Sequence, residues 1–164
     1  MSQTNELEIM ERIALDLERV EESLASSFNT GAEDFNALIR PLSAAGGKRL
    51  RAQLCLLIAN AGTSIERQRI KIAEAVEMLH LATLIHDDVL DQAEIRRGED
   101  TIHMHKGNKV AILSGDYLFA KAFKIVSEMT NMKYLQVFSH IITCLVEGEF
   151  MQMEDVYRID QGIE

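Results

Sequence analysis

Tryptophan is absent, proline occurs once, at Pro41, and cysteine twice, at Cys55 and Cys144. So little proline, in a chain dominated by Ala, Leu, Ile, Met and Glu, leaves helices uninterrupted and disfavours sheet; the composition predicts an all-α fold. The cysteines fall in apolar helical patterns without CxxC spacing. That argues against a disulfide bridge or a cysteine zinc site and predicts two buried, reduced thiols, in keeping with a cytoplasmic address. No unbroken apolar run reaches the roughly 18 residues of a membrane span, and the acidic Met1 to Glu11 segment lacks the apolar core of a signal peptide. Basic charge is also in deficit. With 17 Lys and Arg against 26 Asp and Glu, the net charge of −9 argues against a nucleic-acid or anionic-membrane surface.

What remains is ordinary core-forming material: 164 residues, 47% apolar and 26% charged, with no repeat, low-complexity tract or linker. The expectation is a single helical domain over 1–164. Leu7, Met10, Ala14, Leu17, Glu21 and Leu24 recur at three- and four-residue steps, predicting an amphipathic helix over about 5–28 that Gly31 closes. A short helix carrying Phe35, Leu38, Ile39 and Leu42 follows, then a break at Gly46-Gly47 and a third helix from Leu50 to Ala61 ended by Gly62. A long helix runs from Ile65 to about Leu90. The polar stretch from Gln92 to Gly107 is expected to be the long loop, and such loops tend to be functional. Asn108 is expected to cap a helix reaching toward Met129, and a last helix starts at Met132.

The end of the long helix concentrates acid. Asp87 and Asp91 stand one turn apart, about 6 Å along the axis, with Asp88 between them. Two readings fit such a run. It is either a solvated helix end or a pair of hard oxygen donors sharing Mg²⁺, an ion that usually takes one or two carboxylates plus substrate phosphate oxygens. His80 lies two turns back on the same face, so His80, Thr83, Asp87 and Asp91 form one polar stripe among Ile72, Ala75, Val76, Leu79, Ala82 and Ile85. A polar stripe on an otherwise apolar helix favours the cavity and the metal. Upstream, Lys48, Arg49 and Arg51 gather three cations at a helix start, where free N–H groups and the helix dipole also favour an anion. That block reads as a phosphate site or as a solvated basic turn.

Together, Gly46-Gly47-Lys48-Arg49-Leu50-Arg51, His80, Asp87-Asp88-Val89-Leu90-Asp91, Arg96-Arg97-Gly98 and Ser114-Gly115-Asp116 make the sequence similar to the trans-isoprenyl diphosphate synthases, or polyprenyl synthetases, in order and spacing. The resemblance covers essentially the whole chain but only the N-terminal half of the usual family protein. It implies an antiparallel helical bundle of the isoprenoid synthase type, incomplete at its C-terminus, around a deep cavity. There an allylic diphosphate ionises and isopentenyl diphosphate attacks the cation. By the same resemblance, Asp87, Asp88, Asp91 and Arg96 are catalytic, and Asp87 and Asp91 bind Mg²⁺. Lys48, Arg51, His80 and Arg97 hold isopentenyl diphosphate, Arg96 holds the allylic diphosphate, and the protein is a homodimer, for which the apolar faces after Met129 could serve. The chemistry needs charge stabilisation at the departing diphosphate and apolar walls that exclude water.

Thr83 and Ala82, four and five residues before Asp87, are not aromatic plugs, so the implied product is longer than fifteen carbons, with Phe119 or Phe123 as a deeper floor. Ala52 stands where many relatives carry proline. The second aspartate motif and the Lys-Thr pair before it are missing, and Glu154, Asp155 and Asp160 do not reproduce their spacing. The alternative is therefore a catalytically incomplete piece that binds diphosphate and Mg²⁺ without turnover. An unrelated metal protein would use His86, His103 and His105, although His86 is expected to meet a neighbouring helix instead. The Gly46 to Arg51 block favours elongation over terpene cyclisation. Asp116 and Gln152 are expected to be structural polar groups, Asp116 buried.

Overall fold

A computed structural model describes residues 3–28, 33–44, 47–62 and 65–155. Gly31, Gly46 and Asp160 lie outside them. The described residues form α1 (Gln3–Ser27), α2 (Glu33–Ala44), α3 (Leu50–Ala61), α4 (Glu66–Leu90), a two-stranded hairpin of β1 (Ile95–Arg96) and β2 (Glu99–Asp100), then α5 (Ile102–Lys106), α6 (Asn108–Ser127) and α7 (Met132–Asp155). The all-α class therefore holds. Residues up to Glu128 form one compact unit, and Met129 onward a second that consists of α7.

In the first unit α4 is the central element, packed against α1, α3 and α6. Its sequence explains the position. Ala73, Ala75, Met78, Leu79, Leu81, Ala82 and Ile85 are buried, so α4 offers apolar surface around most of its circumference. Three acids and an arginine on the same helix are nevertheless buried: Arg69, Glu74, Glu77 and Asp88. Each has a partner. Arg69 Nε donates to Asp16 Oδ2 of α1 at 2.6 Å, and its Nη2 donates to Asp16 Oδ1 at 3.1 Å. Glu74 accepts from Ser23 and Ser27 hydroxyls and from Lys71, at 2.7, 2.7 and 2.8 Å. Arg19 also pairs with Glu66. From Asp16 with Arg69 to Ser23 and Ser27 with Glu74, the ties advance along α1 and α4 in the same sense. Helix α3 runs against both, since Ala52 meets Glu77 near its start and Asn60 meets Asp16 near its end.

Several expectations change. On α1, Leu7, Met10 and Ala14 face solvent, and the buried stripe is Ile13, Asp16, Val20, Leu24 and Phe28. The shift follows from Asp16, whose place in the core is compensated by Arg69 rather than by hydrophobicity. Residues 92–107 are not one loop but the hairpin and α5. Asn108 is the first helical residue of α6, while Gly107, at φ 83°, occupies the cap without a side-chain bond. Cys55 is half-buried, and burial raises its thiol pKa; Cys144 is exposed.

Asp16 and Arg69 form an ion pair in which both side chains are 2% exposed or less. Removing one partner strands the other charge, so Asp16→Ala is expected to cost about 3–5 kcal/mol of unfolding free energy. Denaturant titration followed by circular dichroism measures it.

Candidate functional site

The last turns of α4 sort their residues by face. Asp88 is buried and turns toward the hairpin, where Arg96 Nε donates to its Oδ1 at 2.6 Å. Asp87 is half-buried, and Asp91 is exposed at the helix cap, its N–H donating to the Asp87 carbonyl at 2.7 Å. Asp88 thus serves Arg96, whereas Asp87 and Asp91, one turn apart, share a helix face with His80. Among the described residues no group of three His, Cys, Asp or Glu side chains converges on one point. Asp87 and Asp91 suit an ion that needs two carboxylates and takes its other oxygens from water and phosphate, which is the habit of Mg²⁺.

The hairpin pairs Ile95 with Asp100 and Arg96 with Glu99. Its two central residues, Arg97 and Gly98, have φ of 54° and 87°, as a two-residue turn matching the strand twist requires. Glycine enters that region freely; arginine does so at a cost of about 1 kcal/mol, a form of local strain common at functional sites. Thr101 closes the base, its N–H donating to Glu94 and its hydroxyl to Ala93. So fixed, the Arg97 guanidinium lies against Gly47, where an added Cβ would stand 3.2 Å from Nη2.

Lys48, Arg51, His80 and Arg97, predicted to act together, line one cavity of about 230 Å³ with Glu77 and Leu81. Arg96 borders a smaller hollow under the hairpin, of about 50 Å³, with Asp88, Leu84, Pro41 and Thr101. Arg97 lines both. The three-cation block is only partly an anion site. Arg49 is buried, at φ 48° and ψ 36°, and forms ion pairs with Glu77 and Glu21, both at 3.6 Å. Lys48 and Arg51 are the exposed cations of the block.

Arg51 Nη1 donates to His80 Nε2 at 3.1 Å. A guanidinium only donates, so Nε2 holds a lone pair and the neutral ring carries its proton on Nδ1. Burial pushes the His80 pKa below its ordinary 6.5, and Arg51, Arg97 and Arg96 push it the same way against the opposing pull of Glu77. Further along α4, Ala82 is fully buried and the half-buried Thr83 donates its hydroxyl to the His80 carbonyl at 2.8 Å. His86 meets α6 as expected. Its Nε2 lies 3.1 Å from the Ile112 carbonyl, and its ring 5.4 Å from that of Phe119. Gly115 makes room for it, because a Cβ there would fall 2.2 Å from Nε2. Asp116 is exposed rather than buried, with Oδ1 3.5 Å from His86. His103 bonds Thr101 at 3.0 Å, and His105 lies 3.8 Å from Asp100.

Glu77 went unnoticed in the sequence. The available signal was a carboxylate three residues before His80, in a segment whose neighbours Ala75, Met78 and Leu79 mark it as interior.

A sequence model of the Polyprenyl synthetase family matches residues 32–163. The chain is 39% identical over 149 residues to heptaprenyl diphosphate synthase component 2 of Geobacillus stearothermophilus, covering 90% of this chain and 46% of that one. It is 32% identical over 148 residues to octaprenyl diphosphate synthase of Escherichia coli (strain K12), covering 90% and 46%. A crystal structure of polyprenyl synthase from Caulobacter crescentus CB15, complexed with calcium and isoprenyl diphosphate, superimposes with a TM-score of 0.87 at 33% identity over 94% of this chain and 47% of that one. The chain spans less than half the length of each.

With its folded pKa lowered, His80 takes up its proton less readily in the folded than in the unfolded chain. Its contribution is whole above pH 6.5 and declines as pH falls through that value toward the folded pKa. Thermal unfolding from about pH 8 to about pH 5 is expected to show a steeper acid loss for wild type than for His80→Gln.

Proposed function

The chain belongs to the polyprenyl synthetase family, and from that premise we propose that it carries the first aspartate motif and the isopentenyl diphosphate pocket of a trans-prenyltransferase. The reaction joins isopentenyl diphosphate to an allylic diphosphate. The observation that supports this best is the gathering of Lys48, Arg51, His80 and Arg97 around one cavity, with Asp87 further along the same edge of α4 as His80.

Lys48, Arg51 and Arg97 bind and orient the diphosphate of isopentenyl diphosphate by charge-assisted hydrogen bonds, in the cavity that His80 borders. Asp87 and Asp91 would hold Mg²⁺, which when bound would supply charge neutralisation at the allylic diphosphate. Arg96, whose Nε is engaged by Asp88, has its Nη groups to offer the same leaving group. Leu81 and Leu84 contribute apolar wall that keeps water from a carbocation.

A product longer than fifteen carbons fits the small side chains at Ala82 and Thr83. It also fits the heptaprenyl and octaprenyl specificities named for the two relatives. Because the chain spans less than half of these relatives, the second reading is a chain that binds diphosphate and Mg²⁺ but needs the remainder of a synthase for turnover.

Calorimetric titration with isopentenyl diphosphate, and with dimethylallyl diphosphate plus Mg²⁺, tests the binding. Lys48→Ala and Arg51→Ala are each expected to weaken isopentenyl diphosphate about 10-fold or more. Asp87→Asn and Asp91→Asn are expected to abolish the Mg²⁺-dependent part of dimethylallyl diphosphate binding while leaving isopentenyl diphosphate affinity in place. Product analysis on the same chain decides between turnover and binding alone.

A further inference from the structure

A buried carboxylate lines the basic cavity. Glu77 is 3% exposed and shares the wall with Lys48, Arg51, His80 and Arg97. By Coulomb's law alone it opposes any diphosphate that enters. Its two oxygens are both engaged, one by a backbone N–H and one by a side chain, and both partners belong to the same short segment, residues 49–52. Oε1 accepts the Ala52 N–H at 3.0 Å, and Oε2 forms the 3.6 Å ion pair with Arg49 Nη1.

Arg49 is the N-cap of α3 and sits in the left-handed region, which a non-glycine residue occupies only where its surroundings hold it. Ala52 lies in the first turn of that helix, and its N–H has no partner within the helix. A carboxylate reaching across from α4 therefore supplies the capping bond, fixes the strained residue and favours the positive end of the α3 dipole. Residue 49 directly follows Lys48, and residues 49 and 52 bracket Arg51. The Ala52 N–H matters here, because a proline at that position would have none to donate.

We propose that Glu77 is a positioning residue. It clamps backbone 49–52 so that Lys48 and Arg51 project into the cavity, and the gain in their alignment outweighs its own repulsion of the ligand. The inference rests on the diphosphate reading of the cavity given above. It differs in sign from a purely electrostatic role. If Glu77 acted only through its charge, Glu77→Gln would tighten diphosphate binding and Glu77→Asp would leave it unchanged. A clamp predicts that both weaken it, since Gln releases Arg49 and Asp is one methylene too short.

The test is titration of the full chain with isopentenyl diphosphate, and with dimethylallyl diphosphate plus Mg²⁺, for wild type, Lys48→Ala, Glu77→Gln and Glu77→Asp. Circular dichroism selects the folded variants. The charge-preserving Asp variant keeps the test alive if Gln fails to fold. Expected is a roughly tenfold loss of isopentenyl diphosphate affinity for either Glu77 variant, with dimethylallyl diphosphate affinity unchanged and faster amide exchange at Arg51 and Ala52. Wild-type or tighter affinity in the Glu77 variants, with Lys48→Ala weakened, overturns the clamp alone. Equal losses for both ligands also overturn it, as general loosening of the fold. No saturable binding by wild type overturns the diphosphate reading and the clamp with it.

Discussion

The hairpin is held to the central helix by the ion pair of Arg96 with Asp88, and the basic side of the site depends on that pair. Its members stand 2.6 Å apart, the carboxylate buried and the guanidinium about one-third exposed. Eight residues separate them, across the helix end and the first strand. With the pair formed, the turn at Arg97 and Gly98 places a second guanidinium against Gly47, so one contact couples the end of α4 to the start of α3. Removing Asp88 would leave Asp87 and Asp91 in place but release the hairpin, whose first strand carries Arg96 and whose turn carries Arg97.

Other buried charges serve α4 in the same manner. Arg69 and Asp16, Glu74 with two serines and Lys71, and Glu77 with Arg49 are spread over nine residues of the helix, from 69 to 77. A helix apolar on most sides has little in its hydrophobic pattern to set its rotation. Polar groups that must find partners supply that constraint, because a mismatched rotation would bury charges alone. The face bearing His80 is thereby turned toward the cavity.

Much of this was legible in the residues. The bounds of α3 and α4 follow from periodicity, and the grouping of Lys48, Arg51, His80 and Arg97 from the family resemblance. Long periodic segments declare their faces. Failures came where a charged residue has a distant partner. Asp16 moved the buried face of α1 by pairing with Arg69, and Arg49 left the anion-binding block by pairing with Glu77 and Glu21. Single-sequence periodicity counts such residues as outward-facing, since nothing local reveals a compensating group tens of residues away. The hairpin was missed for a different reason: its strands are two residues each, too short to show alternation.

The contrast in burial between the two sets of cations has a consequence for ionic conditions. Lys48 and Arg51 stand in open solvent at the cavity mouth, where added salt shortens the reach of their fields to a few ångströms, whereas Arg69 and Asp16 face each other where mobile ions do not enter. Raising the electrolyte concentration therefore dims the attraction felt by an approaching anion and leaves the scaffold that aims those cations almost untouched.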